Sequence, residues 1–484
     1  MRILLMDPPW YRFQKNANQP YASLGLTYCA AMVRDAHDVA VYNPDLQPSG
    51  ELNQYDLEMD GYQNYLALVK DPNHEVWSEV RQVMEEFQPD LVGIQARTAS
   101  FDSALRAARI AKALRPGITT VLGGPHPTLV PSDVKHDGID VFVHGEGELT
   151  FRDLADALTR GTGLGDVAGI SWKDPSGRIV TNAPRANHPQ LDDFPFPAKD
   201  LILFPELMEP DNYCTLLFSR GCPYRCTFCS SPTVWSRKMR WRTPANVVAE
   251  MAETQATWGT EFFSFQDDTF TTNHRLVHEL CDAIMQRSWD GNFRWVVNTR
   301  PELLDDEIVA HMKAAGCVAI AIGVESGNDE ILKKMKKGFT ADDVRRAAQI
   351  MARHGVTLSS QFMIGLPDET PDQMMDTVRL MEEIDPVSVM LSVATPLPGT
   401  DLYRQARDLG YISDDPDWST VTTKNDGMLF RRDIPRDEVT RIITEVRARF
   451  DAQQRKKAEE KYRYKKLKPG YGFGNDRPPV DSES

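Results

Sequence analysis

Apolar residues recur along the first 160 positions in two alternating rhythms. Short continuous runs, RILLMD (2–7), DVAVYN (38–43), LVGIQA (91–96), TTVLGG (119–124) and VFVHGE (141–146), are bounded by turn residues and predict buried strands. Between them stand segments with apolar positions three and four apart. These are YASLGLTYCAAMVRDA (21–36), further stretches up to about residue 87, SALRAARIAKALR (103–115) and a stretch ending near 160, and they predict helices. Five such strands alternating with helices predict a doubly wound parallel sheet, with its ligand beyond the carboxyl ends of the strands. Those ends carry DPPW, ARTAS, GGPHPT and HGEGE.

The rhythm breaks over 165–210. GISWKDPSGRIV reads as a hairpin, and PQLDDFPFPAKDLILFPEL is a proline-punctuated linker, which places a domain boundary there. A second alternation follows, with strands predicted over 213–218, 261–266, 293–298, 317–323, 357–365 and 387–393. Helices are predicted over 244–257, 273–287, 305–315, 340–354 and 371–384. Six strand–helix units fit a closed or partial barrel with its chemistry at the carboxyl ends of the strands. The resulting division is 1–165 for the first domain, 166–210 for hairpin and linker, 211–405 for the barrel, and 406–484 for a mostly helical extension. That extension holds an amphipathic helix from about Arg436, then a mixed-charge run that reads as solvated, and a polar tail. Tyr403, Trp418 and Phe430 are expected to fill a C-terminal core rather than line a pocket.

Composition adds limits. Of 484 residues, 41% are hydrophobic and 26% charged, as in globular proteins, and the length implies more than one core. No apolar run reaches the ~18 residues that span a bilayer, and MRILLMDPPW is interrupted too soon for a secretory signal, so a cytoplasmic location is expected. A net charge of -15 argues against nucleic acid as partner and leaves a small-molecule substrate as the default.

The chemistry concentrates in FSRGCPYRCTFCSSP (218–232), after the first barrel strand, where Cys222, Cys226 and Cys229 form CxxxCxxC. Thiolates are ligands for zinc or iron–sulfur clusters. Structural zinc closes a four-ligand shell, often from two separated pairs, and no second pair exists; Cys214 upstream reads as a buried strand thiol. Three cysteines on one tight loop better fit a [4Fe-4S] cluster with one iron left open.

The CxxxCxxC loop, with Phe228 before its last cysteine and AIGVESG and FMIGLPDET at the fourth and fifth strand ends, resembles the radical S-adenosylmethionine superfamily. FSFQDDTFTTN and TPLPGT are familiar from one large branch of it. The resemblance implies that Cys222, Cys226 and Cys229 hold the cluster and that its open iron chelates S-adenosylmethionine, which the reduced cluster cleaves to a 5'-deoxyadenosyl radical. It implies polar contacts to that cofactor from Glu325 and Ser326, and packing on adenine by Ile364 and Gly365. Gln266, Asp267 and Asp268 meet the cofactor or substrate, or else the aspartates cap the next helix. Arg300 binds the cofactor's carboxylate or makes a loop salt bridge. An external electron donor such as flavodoxin or ferredoxin is implied as partner.

The first domain lacks GxxxxGK, and no GxGxxG follows its first strand, so ATP and NAD lack their signatures. DPPW, SLGLTYCAAMVRD, LGGPHPTLVP and HGEGELTFRDL resemble the cobalamin-binding domain that precedes the barrel in a large branch of radical enzymes. The resemblance covers roughly residues 1–405 and places the corrinoid near Asp7, Pro8, Thr98, Gly123, Gly124, Pro125, Gly145 and Glu146. Gly123 and Gly124 would let the backbone approach a bulky cofactor, or simply make a tight turn. DxHxxG, the cobalt-ligating pattern, is missing: Asp7-Pro8-Pro9 stands in its place, so cobalamin without a histidine ligand is expected. His126 is not assigned to cobalt and reads as a loop histidine, solvated or near the nucleotide tail. The implied reaction is cobalamin-dependent methylation of an unactivated carbon. The alternatives are a non-methylating radical reaction, as in the oxidative cyclases of porphyrin biosynthesis, and a non-catalytic corrinoid or iron–sulfur sensor.

Overall fold

The structure, a computed structural model, describes residues 1–13, 21, 23–46, 64–422 and 436–457, with nothing stated of the side chains of 436–440 and 454–456. Phe430 and most of the mixed-charge run lie outside the described residues.

The first sheet holds β1 (Arg2–Met6), β2 (Asp38–Tyr42), β3 (Leu91–Gln95), β4 (Thr119–Gly123) and β5 (Val141–Val143), all parallel, in the order β2-β1-β3-β4-β5. Its two faces are both apolar, which is why the strands read as unbroken hydrophobic runs. Along β1, Leu4 and Met6 pack on the side covered by helices Glu75–Phe87 and Phe101–Leu114. Ile3 and Leu5 pack on the side covered by Leu24–Val33 and Gly147–Arg160. The predicted hairpin is present as β6 (Ile170–Lys173) and β7 (Ile179–Thr181). Its strand β6 pairs antiparallel with β5 and lengthens the sheet to seven strands.

The second unit is a six-stranded parallel sheet whose strands lie side by side in chain order. Its strands are β8 (Thr215–Leu216), β11 (Phe262–Phe265), β12 (Arg294–Thr299), β13 (Cys317–Glu325), β14 (Thr357–Ile364) and β15 (Ser388–Val393). β8 and β15 are its edges, so the barrel is partial. Its helices begin at side-chain caps, Thr243, Asn273, Asp305, Thr340 and Thr370, each accepting an amide of the first turn. β8 is shorter than the predicted 213–218, because the amides of Phe218 and Ser219 are drawn to the Asp267 carboxylate. Between β8 and β11 lies a two-stranded antiparallel ribbon, β9 (Ser219–Arg220) with β10 (Arg240–Trp241), that the sequence pattern did not reveal.

Helix Arg436–Lys456 lies against the barrel, with Ile442, Ile443, Val446 and Phe450 entering its core. Trp418 does not fill a separate C-terminal core as expected. It enters the first sheet's core, and its indole Nε1 donates to Asp133 Oδ2 at 2.6 Å. His126 is likewise fully buried rather than solvated. Its ring lies 4.1 Å from that of Phe101 and 5.2 Å from that of Trp418, and its Nε2 is 3.4 Å from Asp133 Oδ2. Burial lowers its pKa. Trp418→Ala is expected to destabilise this seam by about 3–5 kcal/mol, seen as faster hydrogen exchange in helix Phe101–Leu114 while that of Ala341–Arg353 is unchanged.

Candidate active site and its two cofactor faces

The cysteine loop hangs from the β9–β10 ribbon, and its neck is tight. The amide of Cys222 donates to the Ser236 carbonyl at 3.3 Å, and that of Arg242 to the Phe218 carbonyl at 2.9 Å. Gly221 has φ +102°, and a Cβ there would stand 2.7 Å from the Lys238 carbonyl oxygen. Only glycine makes that approach without displacing backbone.

Cys222, Cys226 and Cys229 are half-buried and in no disulfide. Cys222 Sγ lies 3.8 Å from Thr269 Oγ1, and Cys226 Sγ lies 3.6 Å from Nη1 of Arg300. Burial pushes the Cys229 thiol up to about 12 and raises Cys222, so thiolate forms there when a metal centre displaces the proton. Among the described residues no three His, Cys, Asp or Glu side chains converge as ligands of a single metal ion. Three soft donors on one loop, with a guanidinium beside them, fit a [4Fe-4S] cluster in which three irons each take one thiolate and the fourth is left open.

Around the loop the barrel mouth supplies paired charges. Arg300, just beyond β12, is buried, with its guanidinium 3.6 Å from the Tyr224 ring centroid and its Nε 2.6 Å from Glu302 Oε1. It also donates to the Lys337 carbonyl. Lys337 is buried as well, its Nζ 3.2 Å from Glu325 Oε1, 5.7 Å from the Phe228 ring and 5.2 Å from the Phe339 ring. Glu325 ends β13 with φ +68°, a left-handed conformation that costs a non-glycine residue about 1–3 kcal/mol and is concentrated at functional sites. Arg300, Glu325 and Phe228 thus meet at one mouth, together with Tyr224, Lys337 and Phe339. Sequence reasoning missed these last three, because Lys337 sits in MKKGF among exposed lysines and only burial distinguishes it.

The other expected residues divide. Ser326 is buried, 3.3 Å from Thr377 Oγ1, and accepts the amide of Asn328 at 3.1 Å. Ile364 is fully buried at the end of β14, and the Gly365 amide donates to Glu369 Oε2 at 2.6 Å. Gln266 is exposed and donates to Ser264 Oγ at 2.8 Å; Asp268 is exposed and accepts from Ser231 Oγ. Asp267 is held at the end of the first barrel strand. It is buried, with its carboxylate taking the amides of Phe218 at 3.0 Å and Ser219 at 2.5 Å, and burial pushes its pKa up to about 6.

At the first sheet's carboxyl ends, Asp7 follows β1 with its carboxyl pushed up to about 7 by burial, and buried Pro8 adjoins it. Thr98 is buried, 3.4 Å from His126 Nδ1, and Pro125 begins the short helix Pro125–Leu129. A Cβ on Gly145, where φ is +66°, would meet nothing within 4 Å and so faces open space, whereas one on Gly123 would make ordinary contact with Val143 Cβ at 3.8 Å. Gly124 is required by the backbone instead: φ is +102°, and a Cβ would press on the Ala96 carbonyl oxygen at 3.2 Å. The Glu146 carboxylate accepts from Arg240 at 2.5 and 2.9 Å.

The two faces meet at one border. A Cβ on Gly399, beyond β15, would lie 2.8 Å from Leu129 Cδ2 of the first sheet's short helix and 3.5 Å from Thr233 Cγ2. Thr233 belongs to the short helix that follows the cysteine loop.

The B12 binding domain matches residues 15–155, and the Radical SAM superfamily matches residues 216–381. An uncharacterized methyltransferase of Pyrococcus horikoshii is 31% identical over 411 residues, 84% of this chain and 83% of that protein. The chain belongs to the cobalamin-binding branch of the radical SAM superfamily. Its cofactors are therefore a [4Fe-4S] cluster, S-adenosylmethionine and cobalamin. The anaerobic magnesium-protoporphyrin IX monomethyl ester cyclase of Rubrivivax gelatinosus is 29% identical, covering 76% of this chain and 67% of the cyclase. The radical S-adenosylmethionine methyltransferase TsrM of Kitasatospora setae, solved with cobalamin and a [4Fe-4S] cluster, shares the fold. Its TM-score is 0.65 at 20% identity, covering 91% of this chain and 85% of TsrM.

This radical SAM enzyme is expected to lose its cluster through the loop neck. Gly221→Ala adds a Cβ against the Lys238 carbonyl, and the variant should take up less than about a tenth of the wild-type iron on anaerobic reconstitution. Circular dichroism should match wild type.

Proposed function

We infer that the enzyme is a cobalamin-dependent radical methyltransferase acting on an unactivated carbon of a small molecule. The observation that carries this reading is the shared border at Leu129, Thr233 and Gly399, where the mouth of the barrel abuts the carboxyl-end loops of the first sheet. A substrate at that border reaches both cofactor faces. When bound, the cluster with S-adenosylmethionine supplies a hydrogen-abstracting radical, and cobalamin supplies a methyl group.

The chain's own residues hold, orient and exclude water. Cys222, Cys226 and Cys229 would bind the cluster. Arg300, held by Glu302 and Tyr224, would present its guanidinium beside the Cys226 sulfur, where it offsets thiolate charge and is in reach of a carboxylate. Lys337 and Glu325 pair with each other and would offer a donor to a zwitterion's carboxylate and an acceptor to its ammonium. Gly145 would give a corrinoid room, with Gly123 and Asp7 nearby, and the fully buried His126 is not assigned to cobalt.

The reductant would be an acidic flavodoxin or ferredoxin of the cytoplasm. Exposed Arg225, Arg237, Lys238, Lys333, Lys334 and Lys336 surround the cysteine loop, and the Thr227 amide bonded to the Met335 carbonyl at 3.1 Å ties their segments together. On a chain of net charge -15 such a patch favours an acidic partner. No helix among the described residues is long and apolar enough to cross a membrane.

The similarity to the cyclase favours one second reading, radical chemistry without methyl transfer. Products separate the two. Anaerobic turnover of the reconstituted enzyme with S-adenosylmethionine and reductant should give S-adenosylhomocysteine alongside 5'-deoxyadenosine, in about equal amounts once substrate is present. 5'-Deoxyadenosine alone, on a substrate that is consumed, would favour the cyclase-like reading.

A further inference from the structure

The cysteine loop is the connection of the β9–β10 ribbon, and in that ribbon Arg240 stands directly opposite Arg220. Like charges facing each other across a strand pair repel, and an isolated short ribbon has little stability of its own. Both guanidiniums are nonetheless buried, at 6% and 5% exposure. Arg220 is further enclosed by rings of Tyr28, Phe194 and Trp235, 5.2, 5.3 and 5.4 Å from its guanidinium carbon.

The counter-charges come from a remote part of the chain. Glu146 and Glu148 follow β5 of the cobalamin-binding sheet, at the start of helix Gly147–Arg160. Glu148 Oε1 lies 2.6 Å from Arg220 Nη2, while Glu146 Oε1 lies 3.4 Å from Arg220 Nη1 and 2.5 Å from Arg240 Nη2. The second Glu146 oxygen lies 2.9 Å from Arg240 Nη1, making a bidentate pair. Glu146 therefore sits between two cations that would otherwise face each other. Two residues beyond Arg220 is Cys222.

We propose that Glu146 and Glu148 are positioning residues for the cluster: the cobalamin-binding sheet sets the cluster loop by neutralising the ribbon from which the loop hangs. The four charges sum to zero only when the β5 loop is docked. The loop of Cys222, Cys226 and Cys229 is then ordered by the presence of the other cofactor's domain, before any metal is bound. The proposal uses the family assignment only for what the loop holds.

The test uses the full-length chain without cofactors. Amide exchange over 219–241 should be at least about tenfold faster in Glu146→Gln than in wild type, with exchange over Leu91–Gln95 unchanged as proof that the first sheet folds. Glu146→Asp should restore most of the protection. The decisive variant is Glu146→Gln/Arg240→Gln, which removes the opposed cation together with its counter-charge. It should exchange more slowly than Glu146→Gln alone, a reversal that lost packing does not produce. Reconstituted Glu146→Gln should also release iron to a chelator at least about tenfold faster than wild type. Wild-type exchange over 219–241 in Glu146→Gln, or a double variant more exposed than the single, would overturn the proposal. Failure of wild type to take up iron would instead contradict the cluster assignment and leave the exchange comparison intact.

Discussion

Four buried charges join the halves of this enzyme: Glu146 and Glu148 from the first sheet, Arg220 and Arg240 from the ribbon beneath the cysteine loop. Each ion is costly to bury alone and tolerable in the set, so removing one member of such a group costs about 3–5 kcal/mol. An apolar seam would leave the orientation of the two sheets loosely specified. A bidentate arginine–carboxylate pair fixes direction as well as distance. Loops beyond the carboxyl ends of both parallel sheets meet at one border, at Leu129, Thr233 and Gly399.

Within the barrel mouth a second set of buried charges obeys the same rule at shorter range. Arg300 pairs with Glu302, Lys337 with Glu325, and Asp267 with backbone amides of the first strand's end. These partners hold the side chains in one geometry, and Glu325 does so from a left-handed backbone conformation. Rigid polar groups in a site shielded from water are what radical chemistry needs, because orientation and exclusion are the protein's contribution to it.

Much of this was legible in the sequence. Buried parallel strands betray themselves as unbroken apolar runs, so these strands were found within two residues at either end, except β5, which stops at Val143, three residues short of the expected end. The three cysteines were unmistakable, since few chemistries use thiols at that spacing. What escaped depends on contacts between distant segments. Trp418 reads as a C-terminal aromatic but packs beside His126, and β8 is cut short by Asp267, far along the chain. Glu146 gives no sign in the sequence that it pairs with Arg240, and Lys337 resembles a surface lysine and is buried. Charge patterning shows which residues are ionised and says nothing of where their partners come from.

The central claim is that one chain holds a cluster at Cys222, Cys226 and Cys229 and a corrinoid on the adjoining sheet. The most direct measurement is anaerobic absorption spectroscopy of the reconstituted protein with iron, sulfide and corrinoid quantified per chain. About four irons, about four sulfides and about one corrinoid are predicted, with the iron lost in a variant lacking the three cysteines and the corrinoid retained. A chain that binds zinc at those cysteines, or a cluster without any corrinoid, would contradict the account.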